Sequence, residues 1–144
     1  MSLARFHAAQ AKPHTGYDNA LAEIRRGRKT SHWIWYIFPQ LDGLGASSMA
    51  KRYGIKNLAE ARAYLEHPVL GRRLVECMEA VLAVDGRTAH EIFGSPDDLK
   101  LRSCATLFAC VEGQGSVFER VLKKYYAADR DERTLELLGG SRSI

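Results

Sequence analysis

No apolar run in this chain approaches the roughly 20 residues that a membrane-spanning helix needs, so no span is expected. The opening MSLARFHAAQ lacks the apolar core of a secretory signal, and the expected location is the cytoplasm. Cysteine is scarce and odd in number: Cys77, Cys104 and Cys110. All three stand in apolar surroundings, which speaks against a disulfide framework and for reduced, buried thiols. The histidines His7, His14, His32, His67 and His90 never fall at HExxH spacing, and no CxxC pair occurs. No metal site and no cofactor are expected. A GxSxG elbow, a kinase catalytic loop, a P-loop and a dinucleotide fingerprint are missing too. These absences remove the most legible enzyme classes. Internal repeats, linkers and low-complexity segments are also absent.

What is present describes one globule. The 144 residues, 46% apolar and 26% charged, suit a single domain spanning residues 1–144, with Ser141–Ile144 as a loose tail. The net charge of +4 and pI near 9.1 mildly favour anionic ligands. The longest basic cluster is Arg25-Arg26-Gly27-Arg28-Lys29, which reads first as a solvated helix face. Nucleic acid is an open alternative, but no recognised binding motif supports it. Oligomeric state is not encoded in any pattern.

Helix signals recur from end to end and predict an all-α fold, a single compact domain of six to eight helices. Tyr17–Arg26 places Leu21 and Ile24 on one face, with Gly27 as its stop. Asn57 with Glu60, Thr88 with Glu91 and Ser116 with Glu119 are capping pairs three residues apart. Ser47 is a candidate cap for a short helix through Tyr53. Pro68 suits the first turn of a long helix whose stripe is Val69, Leu70, Leu74, Val75, Met78, Val81 and Leu82. His67 stands at that helix's boundary. Ser95-Pro96-Asp97-Asp98 offers a cap, a first-turn proline and two acids, opening a helix to about Glu112. A last short helix fits Glu132–Leu138. Only Trp33–Phe38 has β-like composition. An isolated strand would leave its backbone unpaired, so this segment is read as a buried helix or helical turn, and as a helix apolar all round it would be a central one.

Three stretches draw chemical interest. In SHWIWYIFPQ, Trp33 and Trp35 lie about 200° apart on a helix. One indole is expected in the core and the other toward a cavity, where it would stack on a planar ligand. His32 beside them can donate, accept or titrate near neutrality. The plain alternative is a core cluster with a satisfied histidine. In LDGLGASSMAKR, glycines lead into a helix start, with Ser47 and Ser48 as hydroxyl donors and Lys51 a turn on. That is the logic of a phosphate cradle, or simply a capped flexible turn. In SPDDLKLRSCATLF, Lys100, Ser103 and Thr106 are polar within an apolar helix. The Lys-x-x-Ser order reverses the familiar nucleophile motif. An Asp97–Lys100 ion pair and back-bonded hydroxyls account for the pattern equally well.

The order RF…AQ, Y…A…EI…GRK and SHWIWYIFPQLDGLG, continuing through EARAYLEHPVLGRRL, IFG…DDLKLRS…TLF and VFERVLKKYY, resembles the family catalogued as domain of unknown function 1810. The likeness spans nearly the whole chain. It implies an all-helical fold and no established activity. Some members carry the automatic label calpastatin, but an inhibitor of that kind is a disordered chain and this composition is globular. The family typically shows two serines where this chain has Ser103-Cys104, which weakens any mechanism needing a second hydroxyl there.

Together these readings place Arg28, Lys29, His32, Trp35 and Gln40 along a cleft, with Gly43, Gly45, Ser47, Ser48 and Lys51 at its rim. Lys100, Ser103 and Thr106 form the opposite side. The first functional expectation is a binding module for a small anionic, nucleotide-like ligand. The second is a hydrolase or glycosidase acting on such a ligand, with His32 or Asp97 as general acid or base and Lys100 stabilising charge. The third is an interaction module that has an exposed apolar patch and no small-molecule site.

Overall fold

The computed structural model describes residues 2–139. Among them ten helices form, more than the six to eight expected: α1 (Ala4–Gln10), α2 (Tyr17–Arg25), α3 (Ile34–Ile37), α4 (Ser48–Arg52), α5 (Leu58–Glu66), α6 (Leu70–Ala83), α7 (Ala89–Phe93), α8 (Asp97–Glu112), α9 (Val117–Tyr126) and α10 (Glu132–Leu137). The excess has a physical source. α3, α4 and α7 are single turns. α1 has no capping side chain, and one of its three buried positions is the polar Gln10, beside Phe6 and Ala9. No strand occurs among the described residues, only an isolated parallel bridge between Leu41 and Ile55. The tail expected at Ser141–Ile144 lies outside the described residues.

The expected caps form where side chains can reach. The Asn57 side chain accepts from the Glu60 amide at 2.9 Å, and Ser116 from the Glu119 amide at 3.2 Å. Thr88 and Glu91 make the complete reciprocal box. The start of α8 differs from its reading. Pro96, following a cis Ser95–Pro96 bond, is the cap residue, and no side chain caps the helix. At α6, Pro68 lies ahead of the first turn. The His67 ring instead accepts at Nδ1 from the Val69 and Leu70 amides, at 3.1 and 3.2 Å. That satisfies two orphan donors of the helix end.

The Trp33–Phe38 segment takes the second of its two expected forms, a buried helical turn, and is not a central helix. It makes one turn and stops at Phe38, whose backbone leaves the helical region (φ −122°, ψ 76°). The following Pro39 disfavours helical geometry at that residue. The central position belongs to α8, which packs against α3, α5, α7, α9 and α10. Leu101, Cys104, Ala105, Leu107 and Phe108 on it are inaccessible to solvent, so one broad apolar face of the helix carries the core. One continuous cluster forms the core. Within it Phe6 meets Tyr64 edge-on at 5.0 Å, and Phe108 meets Phe118 at 5.5 Å. Gly71 lets α5 and α6 close on each other, since a Cβ there would lie 1.9 Å from the Leu65 carbonyl oxygen. The three cysteines are unpaired, and burial pushes the Cys77 thiol up to about 12.

The least anticipated feature is Glu23, 1% exposed on α2. Its Oε1 accepts from the Thr30 amide (2.8 Å), the Ser31 amide (3.0 Å) and the Trp33 indole Nε1–H (2.8 Å). Its Oε2 accepts from Ser31 Oγ (2.6 Å) and Asn19 Nδ2 (2.7 Å). Burial by itself would raise the carboxyl's pKa, but the Ser31 hydroxyl, the Thr30 amide, the Trp33 indole and the Ser31 amide together bring it down to about 2. The loop from α2 to α3 is thereby fixed.

Because the folded pKa lies below the ordinary value of 4.5, this stabilisation is complete above about pH 4.5 and is lost as pH falls toward 2. The shift corresponds to roughly 3 kcal/mol. Glu23→Gln should lower stability by about 2–4 kcal/mol at neutral pH and flatten that acid limb. Urea unfolding of both proteins from pH 7 to pH 3 checks it.

Candidate functional site

The site is built from three walls. The first is the loop from Gln40 to Ile55. It is clamped at its base by the Ile55 amide on the Gln40 carbonyl (2.8 Å) and the Asp42 amide on the Ile55 carbonyl (2.7 Å). Gly54 permits this closure, because a Cβ there would meet Asp42 at 2.8 Å. Arg5 bolts the loop from outside. It donates to the Arg52 carbonyl (2.8 Å) and the Gly54 carbonyl (3.0 Å) and pairs with the buried Glu60 at 3.5 Å. The second wall is the first turns of α8. The third is α10, whose Asp131 cap residue gives its amide to Thr106 Oγ1 at 2.9 Å and its carboxylate to Arg102 at 3.7 Å.

Between these walls lies an open cleft of ≈ 380 Å³. Gln40, Leu44, Gly45, Ala46, Ser47 and Ala50 line one side of it, and Pro96, Leu99, Lys100, Ser103 and Arg133 the other. A narrower notch continues from it, lined by Trp35, Gln40, Gly45 and Tyr53 among others. Among the described residues no carboxylate lines either recess.

An ion-pair relay sets the cleft's cation. Lys29 Nζ, only 7% exposed, binds Asp97 Oδ2 at 2.8 Å and donates to the Ser31 carbonyl at 2.6 Å. It also sits 5.0 Å over the Trp33 ring. Asp97 Oδ1 faces Lys100 Nζ at 3.5 Å, and that ammonium lies 5.2 Å over the Trp35 ring. Each tryptophan thus carries a lysine on its face, and one carboxylate stands between the two lysines.

The sequence candidates divide accordingly. Trp35, Gln40, Gly45, Ser47, Lys100 and Ser103 line the cleft or its notch. Lys29 and Asp97 stand behind it and act through each other. Thr106 is fully buried. It donates to the Arg102 carbonyl at 2.8 Å and accepts from Asp131, so it holds α10 rather than a ligand. Ser103 Oγ donates back to the Leu99 carbonyl at 3.1 Å. Ser47 Oγ already accepts from the Ala50 amide at 3.1 Å, as the cap of a five-residue helix. Arg28, His32, Ser48 and Lys51 are exposed and line neither recess. Gly43 (φ 101°) lies against Leu137. Arg133 had no local signal: it sits in a short polar helix and enters the cleft only through the tether of α10. Arg5 and Glu23 stand in the sequence only within the stretches that carry the family resemblance, with no local signal of these roles.

These features define a small all-helical domain with an open basic cleft beside an aromatic notch. The chain belongs to the family described as protein of unknown function (DUF1810), whose model matches residues 1–138. It is similar to the conserved hypothetical protein Rv1873 from Mycobacterium tuberculosis, known from a crystal structure. The two are 52% identical over 94% of this chain and 95% of that one, with a TM-score of 0.90. No curated protein matches the chain. Among the described residues no helix is long and apolar enough to cross a membrane, and no group of metal-binding side chains gathers.

Asp97→Asn strands the buried Lys29 ammonium and should cost about 2–4 kcal/mol. Adding Lys29→Met should recover part of that loss. A double-mutant cycle by thermal denaturation is expected to give a coupling of roughly 1–3 kcal/mol.

Proposed function

We propose that this protein binds a small anionic ligand carrying a planar ring in the cleft between the Gln40–Ile55 loop, α8 and α10. One observation carries the reading: Lys100 and Arg133 both line this cleft, and among the described residues no carboxylate lines it. The volume, ≈ 380 Å³, falls within the range of small-molecule sites. Arg133 is exposed and has no ion-pair partner among the described residues. Gln40 likewise has no side-chain partner there, leaving an amide to orient a ligand. Trp35 supplies the stacking surface. A cytoplasmic ligand is the natural choice for a chain whose three cysteines stay unpaired.

Two alternatives receive less support. An enzyme needs a proton acceptor facing the reacting group. Here Ser103 is bonded to its own helix, Asp97 is shared by two lysines, and His32 lies outside the lining. An interaction module needs a broad apolar patch. The exposed large hydrophobic side chains among the described residues are Leu99 and Leu137 alone.

The test is a thermal-shift screen against nucleotides, sugar phosphates and dinucleotides. A true ligand at about 100 times its dissociation constant adds about 2.7 kcal/mol. Arg133→Ala should leave the unliganded melting temperature unchanged and remove most of the shift. No shift with any compound would refute the reading.

A further inference from the structure

Lys100 and Lys29 share Asp97 unequally. Lys29 is the closer partner at 2.8 Å and is 7% exposed, whereas Lys100 is 3.5 Å away and 28% exposed. If Lys100 leaves, Asp97 keeps its shorter ion pair, so departure strands no carboxylate. A single-lysine arrangement would carry the penalty of an unpaired, partly buried charge. The Lys100 ammonium also lies over the Trp35 ring. Trp35 packs against the core and is only partly exposed, and it lines the narrow notch beside the cleft that Lys100 lines.

We propose that Lys100 is an exchangeable cap on Trp35. An entering phosphate draws the ammonium off the indole and off Asp97, and a planar ring on the same ligand then takes the uncovered face. The site therefore selects molecules that carry both groups, with the chemistry of a nucleoside monophosphate. Arg133 on α10, unpaired among the described residues, is the second cation for a phosphomonoester that carries close to two negative charges. A ring without an anion has to displace a cation–π contact with nothing to receive the lysine. An anion without a ring releases the lysine and leaves the indole bare. The inference rests on the binding reading above and adds to it the order of events and the ligand class.

The test uses the full chain, with adenosine monophosphate, adenosine and inorganic phosphate as probes. Calorimetry on the wild type should show the monophosphate binding at least about tenfold more tightly than either fragment. In Lys100→Met the monophosphate should weaken by about tenfold, while adenosine binds as well as or better than it does to the wild type. NMR on the wild type gives an independent readout. The Lys100 Cε protons should be ring-shifted upfield in the free protein and move downfield with inorganic phosphate alone. If the monophosphate binds but those protons keep their shift and Lys100→Met treats adenosine no differently, the cap is wrong and the binding site stands. If the monophosphate binds neither protein, the site and the cap fall together.

Discussion

Glu23 brings a carboxylate into a position 1% exposed, and five donors from α2, the following loop and the Trp33 ring meet it. A buried charge is tolerated only when its lone pairs are filled by good geometry. Here filling them dictates the path of the chain. Thr30 and Ser31 must present their amides to one oxygen, and Trp33 must turn its N–H inward to the same atom. The indole is thereby committed to the core, beside Phe38 and Phe93, and α3 begins from a fixed point. Trp35, two residues on, is left at the surface of the cleft.

The same loop carries the constraint across to α8. With Ser31 held by Glu23, its carbonyl receives Lys29, and Lys29 reaches Asp97 in the first turn of the central helix. Acids are favoured at a helix start by the dipole, which adds to the hold on Asp97. From there the relay ends at Lys100 over Trp35. A buried carboxylate on α2 and the cation in the cleft are thus ends of one polar path through an apolar interior. The other walls are held in a similar way, by Arg5 at the Gln40–Ile55 loop and by Thr106 at α10.

Much of the fold was legible because its signals are local. Asn57, Thr88 and Ser116 announce helices within three residues, and the stripe from Leu70 to Val81 needs only its own spacing. The miscast elements depend on distant partners. α1 is helical because Phe6 and Ala9 meet the core and Gln10 donates to the Tyr36 carbonyl and the Tyr64 hydroxyl. Trp33–Phe38 has the composition of a central element, but Pro39 cuts it to one turn. The site divides along the same line. Trp35, Gln40, Lys100 and Ser103 stand out as polar or aromatic residues in apolar surroundings. Arg133 looks like any surface arginine until Thr106 and Asp131 bring its helix to the cleft. Glu23 looks like a solvated helix acid, because four of its five donor groups lie seven to ten residues further along the chain.

The claim that Glu23 commits one indole to the core and leaves the other to the cleft is tested most directly by hydrogen exchange at the two indole N–H groups. Trp33 Nε1–H is buried and bonded to a carboxylate. Trp35 is partly exposed, and its N–H has no bond among the described residues. At neutral pH, Trp33 should exchange at least roughly a hundredfold more slowly than Trp35, because it exchanges only when the structure opens. Equal rates would mean that the carboxylate does not hold the indole, and the path from α2 to the cleft would lose its first link.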